Sequence, residues 1–122
     1  MPVILVYGIP GKFDQTLLRM FWDELRKTTA SIEELKLTEE QVSAFFPADL
    51  LQEGLGEEII FFVFGLLAKP ERTSEVRNNL AQKLAATAKV YFPEAMTECF
   101  IIPFDPEQGF ATIPANLLTL LK

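Results

Sequence analysis

An α/β domain is the fold class this chain predicts, and three observations carry it. Two apolar runs rich in β-branched and aromatic residues, 2–7 and 58–64, each lead through a turn into a segment whose apolar residues recur at helical spacing. A third such run, residues 97–102, follows the second helical segment. The run at 58–64 is apolar on both faces, which places it centrally in a sheet. Alternation of strand and helix makes a sheet with helices packed on one or both of its faces. The 122 residues fit one domain, and 49% of them are apolar, enough for a core.

The elements follow in order. Pro2-Val3-Ile4-Leu5-Val6-Tyr7 reads as a buried strand ending at the turn Gly8-Ile9-Pro10-Gly11, with proline at a strand's first residue, where a sheet tolerates it. Leu17, Leu18, Phe21, Trp22 and Leu25 form one face of a first helix, with Asp14 as its N-cap. Residues 28–57 form an irregular apolar insert. In it, Thr38-Glu39-Glu40-Gln41 matches a capping box and opens a short helix to about Phe45, ended by Pro47. The insert, with its pairs Phe45-Phe46 and Leu50-Leu51, is expected over the sheet edge or in a subunit contact, before a turn at Gly54-Leu55-Gly56. The strand at 58–64 is expected to pair with the one at 2–7. Thr73 or Ser74 caps a second helix with Val76, Leu80, Ala81, Leu84 and Ala88 inward, closed by Phe92-Pro93. After the strand at 97–102, stopped by Pro103, residues 110–113 could add a short strand, and residues 114–122 form an apolar tail, helical over 116–121. The two strand–helix halves repeat in layout and not in residues.

Composition excludes several classes of function. A formal charge of −6, with 11 basic residues that never form a run, argues against nucleic acid. The longest apolar stretch, residues 59–68, is about half of what a membrane span needs. No signal peptide is apparent, and a single cysteine, Cys99, fits a reducing, cytoplasmic setting. The chain has no histidine, so Ser-His and Cys-His nucleophilic pairs and ordinary zinc sites are excluded. Phosphate-binding glycine loops are missing, no metal-ligand spacing occurs, and no cofactor is implied. Phe61 to Phe64 reads as core, Cys99 as a buried strand residue, and the acidic pairs as solvated.

Three stretches together resemble the tautomerase superfamily. They are Pro2-Val3-Ile4-Leu5-Val6, Lys69-Pro70-Glu71-Arg72-Thr73-Ser74-Glu75-Val76-Arg77 ahead of the second helix, and Cys99-Phe100-Ile101-Ile102-Pro103-Phe104 with its Gly109-Phe110 turn. The likeness covers nearly the whole chain in element order, while Pro2 and the arginine-bearing helix start are its diagnostic residues. It is nearest to long single-chain members related to macrophage migration inhibitory factor and 4-oxalocrotonate tautomerase, including a bacterial branch. The resemblance implies a four-stranded mixed sheet with two long helices on one face, a homotrimer, and tautomerisation of a small 2-oxo acid or enol. It also implies that Pro2, exposed by loss of Met1, is the general base.

Chemistry supports those roles. A free α-amino group titrates near 7.7–8.0. Apolar burial beside a cation disfavours its ammonium form, leaving a base that can move a proton between carbon and oxygen. Arg72 is the expected carboxylate anchor, since its fork binds bidentately beside the free amides of a helix start. Lys69 and Arg77 support it, and Tyr7, Phe104 and Phe110 are expected to form an apolar wall. Two other readings stand beside this one: a non-catalytic oligomerisation or partner-binding protein on the same fold, and a ferredoxin-like small-molecule-binding domain. The latter requires the first and last strands to lie centrally.

Overall fold

The computed structural model describes residues 2–51 and 57–115. In chain order the elements are β1 (Val3–Tyr7), α1 (Gln15–Ala30), 3₁₀ turns at Glu33–Leu35 and Glu39–Gln41, and β2 (Ser43–Phe45). Then come β3 (Glu58–Leu67), α2 (Ser74–Tyr91), β4 (Met96–Phe104) and a 3₁₀ turn at Pro106–Gln108. The four strands form one mixed sheet in the order β2-β1-β3-β4. β1 runs parallel to β2 and β3 parallel to β4, while β1 and β3 meet antiparallel at the centre. The chain is therefore two β-α-β units joined through their first strands. β2 lies directly beside β1 and β4 directly beside β3, so neither unit is a split β-α-β, which removes the ferredoxin-like alternative.

Local chemistry explains the helix starts. The Asp14 carboxylate accepts the amides of Thr16 at 2.7 Å and Leu17 at 3.4 Å, and the Thr73 hydroxyl accepts that of Val76 at 3.2 Å. α1 turns Phe21, Leu25 and Thr29 inward, one per turn, and α2 does the same with Leu80, Leu84 and Ala88. These meet Ile4, Val6, Ile59, Phe61 and Val63 in a single core, so both helices cover the same face of the sheet. Full burial of each large aliphatic or aromatic side chain there contributes roughly 1.5–3 kcal/mol. Thr29 is polar and fully enclosed, and its hydroxyl donates to the Leu25 carbonyl at 2.9 Å, as buried polar groups require.

The insert departs from expectation. The helix expected from Glu39 is a single 3₁₀ turn, within which the Gln41 side chain accepts the Thr38 amide at 2.9 Å. The chain then extends into β2 because Val42, Ala44 and Phe46 alternate inward against the core. Part of the insert thus becomes the edge strand beside β1. Residues 110–113 form no strand. The turn expected at 54–56 and the helix expected over 116–121 lie outside the described residues.

Among the described residues no helix covers the opposite sheet face. Phe45, Leu5, Phe62 and Phe100 form a cross-strand row, flanked by Val3 with Phe64 and by Tyr7 with Ile60. Phe62 stacks on Phe64 and Phe100, with centroids 6.2 and 5.5 Å apart, and meets Tyr7 edge-on at 5.9 Å. Phe45 is 56% exposed and Phe100 48%.

Candidate functional site

Pro2 lies buried immediately before β1, and its carbonyl accepts the Ser43 amide at 3.2 Å. Val3 stands between Ser43 on one side and Phe64 on the other, which puts Pro2 at the level of Gly65. There β3 bulges: its register with β4 shifts between Val63 and Leu66, and Gly65 takes φ +74°. Glycine suits that left-handed turn because it has no Cβ to collide with the backbone. The N-terminal end of β1 is thus flanked by the start of β2 and by an irregularity in β3.

Three cations follow within the link from β3 to the first turn of α2. Lys69 is exposed, and its carbonyl accepts the Arg72 amide at 3.0 Å. Arg72 is only 6% exposed. Its Nη1 donates to the Leu67 carbonyl and its Nη2 to the Leu35 carbonyl, each at 2.8 Å. Its Nε is sealed from solvent without a hydrogen-bond partner, and burial pulls the guanidinium pKa below its usual value. The carboxylate role implied for Arg72 meets a guanidinium whose Nη edge is already directed at main-chain oxygens. Arg77 is half-buried, and its Nη1 donates to the Arg72 carbonyl at 2.7 Å.

Arg77 also borders an open groove of about 370 Å³ between α2 and β4, with Ser74, Asn78, Cys99 and Phe100 among its other walls. The Cys99 thiol is pushed up to about 12 by burial, so it holds its proton at neutral pH and is a poor nucleophile. Phe104 pairs with Leu67, which places it at the Pro2 end of the sheet, and its ring lies 5.9 Å from that of exposed Phe110. Tyr7 lies at the other end of β1, about 16 Å away for a strand rising roughly 3.3 Å per residue. Within one chain the register thus sets the link that carries Lys69 and Arg72, and Phe104 with its neighbour Phe110, towards the Pro2 end of the sheet, ties Arg77 to Arg72, and leaves Tyr7 at the other end. Among the described residues no cluster of three or more acidic, cysteine or histidine side chains offers a metal site.

Residues that reasoning from the sequence missed are Ser43, Gly65 and Leu35. Their contributions come through main-chain groups or main-chain shape, which side-chain chemistry does not announce. The alternation of Val42, Ala44 and Phe46 was the one available signal for β2.

No family model and no curated protein matches the chain. Solved structures do. A wild-type fused 4-OT in an asymmetric trimer is 14% identical, with 98% of this chain and 99% of that one covered at a TM-score of 0.67. Macrophage migration inhibitory factor of Toxoplasma gondii is 11% identical, covering 90% and 95% at 0.63. N1, a member of the cis-3-chloroacrylic acid dehalogenase family, is 17% identical, covering 98% and 97% at 0.59. At such identities the likeness is one of architecture, and it extends over nearly the entire length of both partners in each case. This chain, two β-α-β units joined antiparallel into one sheet with both helices on one face, therefore shares its fold with the fused 4-OT, macrophage migration inhibitory factor and N1 structures.

Proposed function

We propose that this chain is a tautomerase-like protein that interconverts the keto and enol forms of a small 2-oxo acid or enol, with Pro2 as the general base. The observation that carries this is the placement of Pro2. It is buried at the head of a central strand, at the end of the sheet from which the Lys69–Arg77 link departs. Once Met1 is removed, Pro2 carries a secondary amine. Burial disfavours the ammonium form, and the neutral amine takes a proton from the carbon next to the substrate carbonyl. The electron pair left behind becomes the enolate, and return of the proton to oxygen completes the enol. Lys69 and Arg77 supply positive charge for the substrate carboxylate, and Phe104 with Phe110 supplies an apolar wall. Tyr7 serves such a pocket only from another copy of the chain.

The uncovered aromatic sheet face supports self-association, and fused 4-OT structures are described as trimers, so a homotrimer is the assembly we propose. A second reading, an oligomerisation or partner-binding protein without chemistry, is favoured by the same face and by the engagement of Arg72 with carbonyls.

Intact mass before and after 3-bromopyruvate at neutral pH, followed by peptide mapping, separates the two. The amine nitrogen would displace bromide, forming one C–N bond and releasing a proton. A Met-free chain modified at Pro2 supports the tautomerase reading. Retained Met1, or a free Pro2 that stays unmodified, selects the non-catalytic reading.

A further inference from the structure

We propose that Arg72 is a positioning residue for Pro2, acting through the main chain and not by binding the substrate carboxylate. The inference rests on the tautomerase reading and assigns a role within it. A guanidinium that recognises a carboxylate presents two neighbouring N–H groups to it. Arg72 directs its Nη1 and Nη2 at the carbonyls of Leu67 and Leu35, and the Nε edge is closed to solvent. A substrate oxygen reaches this fork only after a main-chain carbonyl has been released inside a buried site, where an unsatisfied acceptor is costly.

What the fork holds explains why it matters. Leu67 ends β3, just beyond the bulge that lies beside Pro2. Leu35 ends the 3₁₀ turn that brings the crossover from α1 towards β2, the strand whose Ser43 amide grips the Pro2 carbonyl. The two carbonyls belong to segments 32 residues apart in sequence, the end of β3 and the crossover that leads to β2, and β3 and β2 are the two strands that pair with β1. One planar, permanently charged group ties both to the start of α2, and the Arg77 guanidinium in turn binds the Arg72 carbonyl at 2.7 Å. Lysine cannot do the same, because a single ammonium lacks the spaced fork that spans both oxygens.

Inactivation kinetics with 3-bromopyruvate, monitored by modification at Pro2, test this in the full chain. If Arg72 positions Pro2, Arg72→Lys lowers the limiting rate of inactivation at least tenfold, while the half-saturating reagent concentration changes less than twofold. If Arg72 anchors the carboxylate, the half-saturating concentration rises at least tenfold at an unchanged limiting rate, and the proposal is overturned. Unchanged kinetics overturn it equally. Should the variant fail to fold, side-chain NMR of ¹⁵N-arginine-labelled wild-type protein decides. Arg72 resonances unmoved by saturating pyruvate support positioning, and a shift of its Nε and Nη signals overturns it. A wild-type Pro2 that does not react at all removes the tautomerase reading itself, and is distinguishable because no variant is needed to see it.

Discussion

Replacing Gly8 with alanine is the perturbation whose cost can be worked most directly from the backbone. Gly8 ends β1 with φ +96°, a conformation that L-residues other than Asn and Asp rarely adopt. A Cβ built there lies 2.0 Å from the Glu58 carbonyl oxygen and 3.2 Å from its carbon. Neither neighbour is a side chain that could swing away. The start of β3 would have to retreat by about 1 Å, which loosens the last β1–β3 pair, Tyr7 with Ile60. The dihedral costs about 1–2 kcal/mol. Disturbing one end of the central strand pair adds about 1–2 kcal/mol, a lost hydrogen bond or an unsatisfied group. The total of roughly 2–4 kcal/mol is a large share of the 5–15 kcal/mol that stabilises an ordinary domain. Gly11→Ala is the control, since nothing lies within 4 Å of its Cβ and its φ is not in the left-handed range. Urea denaturation should show Gly8→Ala destabilised by that amount at an unchanged slope, and Gly11→Ala neutral or up to about 1 kcal/mol more stable. Equal midpoints for the two variants would refute the reasoning.

Two further outcomes are expected. Phe100→Glu puts a carboxylate at the β4 end of the aromatic row, stacked against Phe62, where burial of an unpaired charge in an interface costs about 3–5 kcal/mol. Sedimentation velocity should show the wild type as a trimer and the variant dissociated at the same concentration; a monomeric wild type, or a variant that stays trimeric, would remove that face from assembly. The raised Cys99 thiol has a consequence for stability at alkaline pH. The native chain keeps this proton up to about 12, whereas an unfolded thiol loses it near 8.5. The native state then binds the more protons, so stability present below pH 8.5 declines as pH rises from there towards 12. Chemical denaturation at pH 8 and pH 10.5 should reveal a component of this decline that Cys99→Ala lacks, and parallel profiles for the two proteins would show that the thiol stays accessible.

Much of the architecture was legible in the residues. Strands at 2–7 and 58–64 announced themselves by β-branched and aromatic runs, and the helices by residues such as Phe21, Leu25, Leu80 and Leu84 one turn apart. Caps at Asp14 and Thr73 were named by their chemistry. The insert was harder, because the capping box at Thr38–Gln41 is genuine but local. It starts a turn, and the pull of Val42, Ala44 and Phe46 towards the core then overrides helical continuation.

Pattern and local hydrogen-bonding chemistry act within a few residues, and for that reason the sequence by itself determined the two strand–helix halves, the third strand after them and inward residues such as Phe21, Leu25, Leu80 and Leu84, while its resemblance put Pro2 forward. Tertiary structure alone decided what surrounds that proline. The Ser43 amide, the bulge at Gly65 and the carbonyls of Leu35 and Leu67 are main-chain features brought together across long stretches of chain. An arginine at a helix start looks the same in sequence whether it meets a ligand or a carbonyl. Only the packing of the crossover against the end of β3 turned the Arg72 fork inward, since a buried carbonyl needs a donor and the guanidinium was the group in reach.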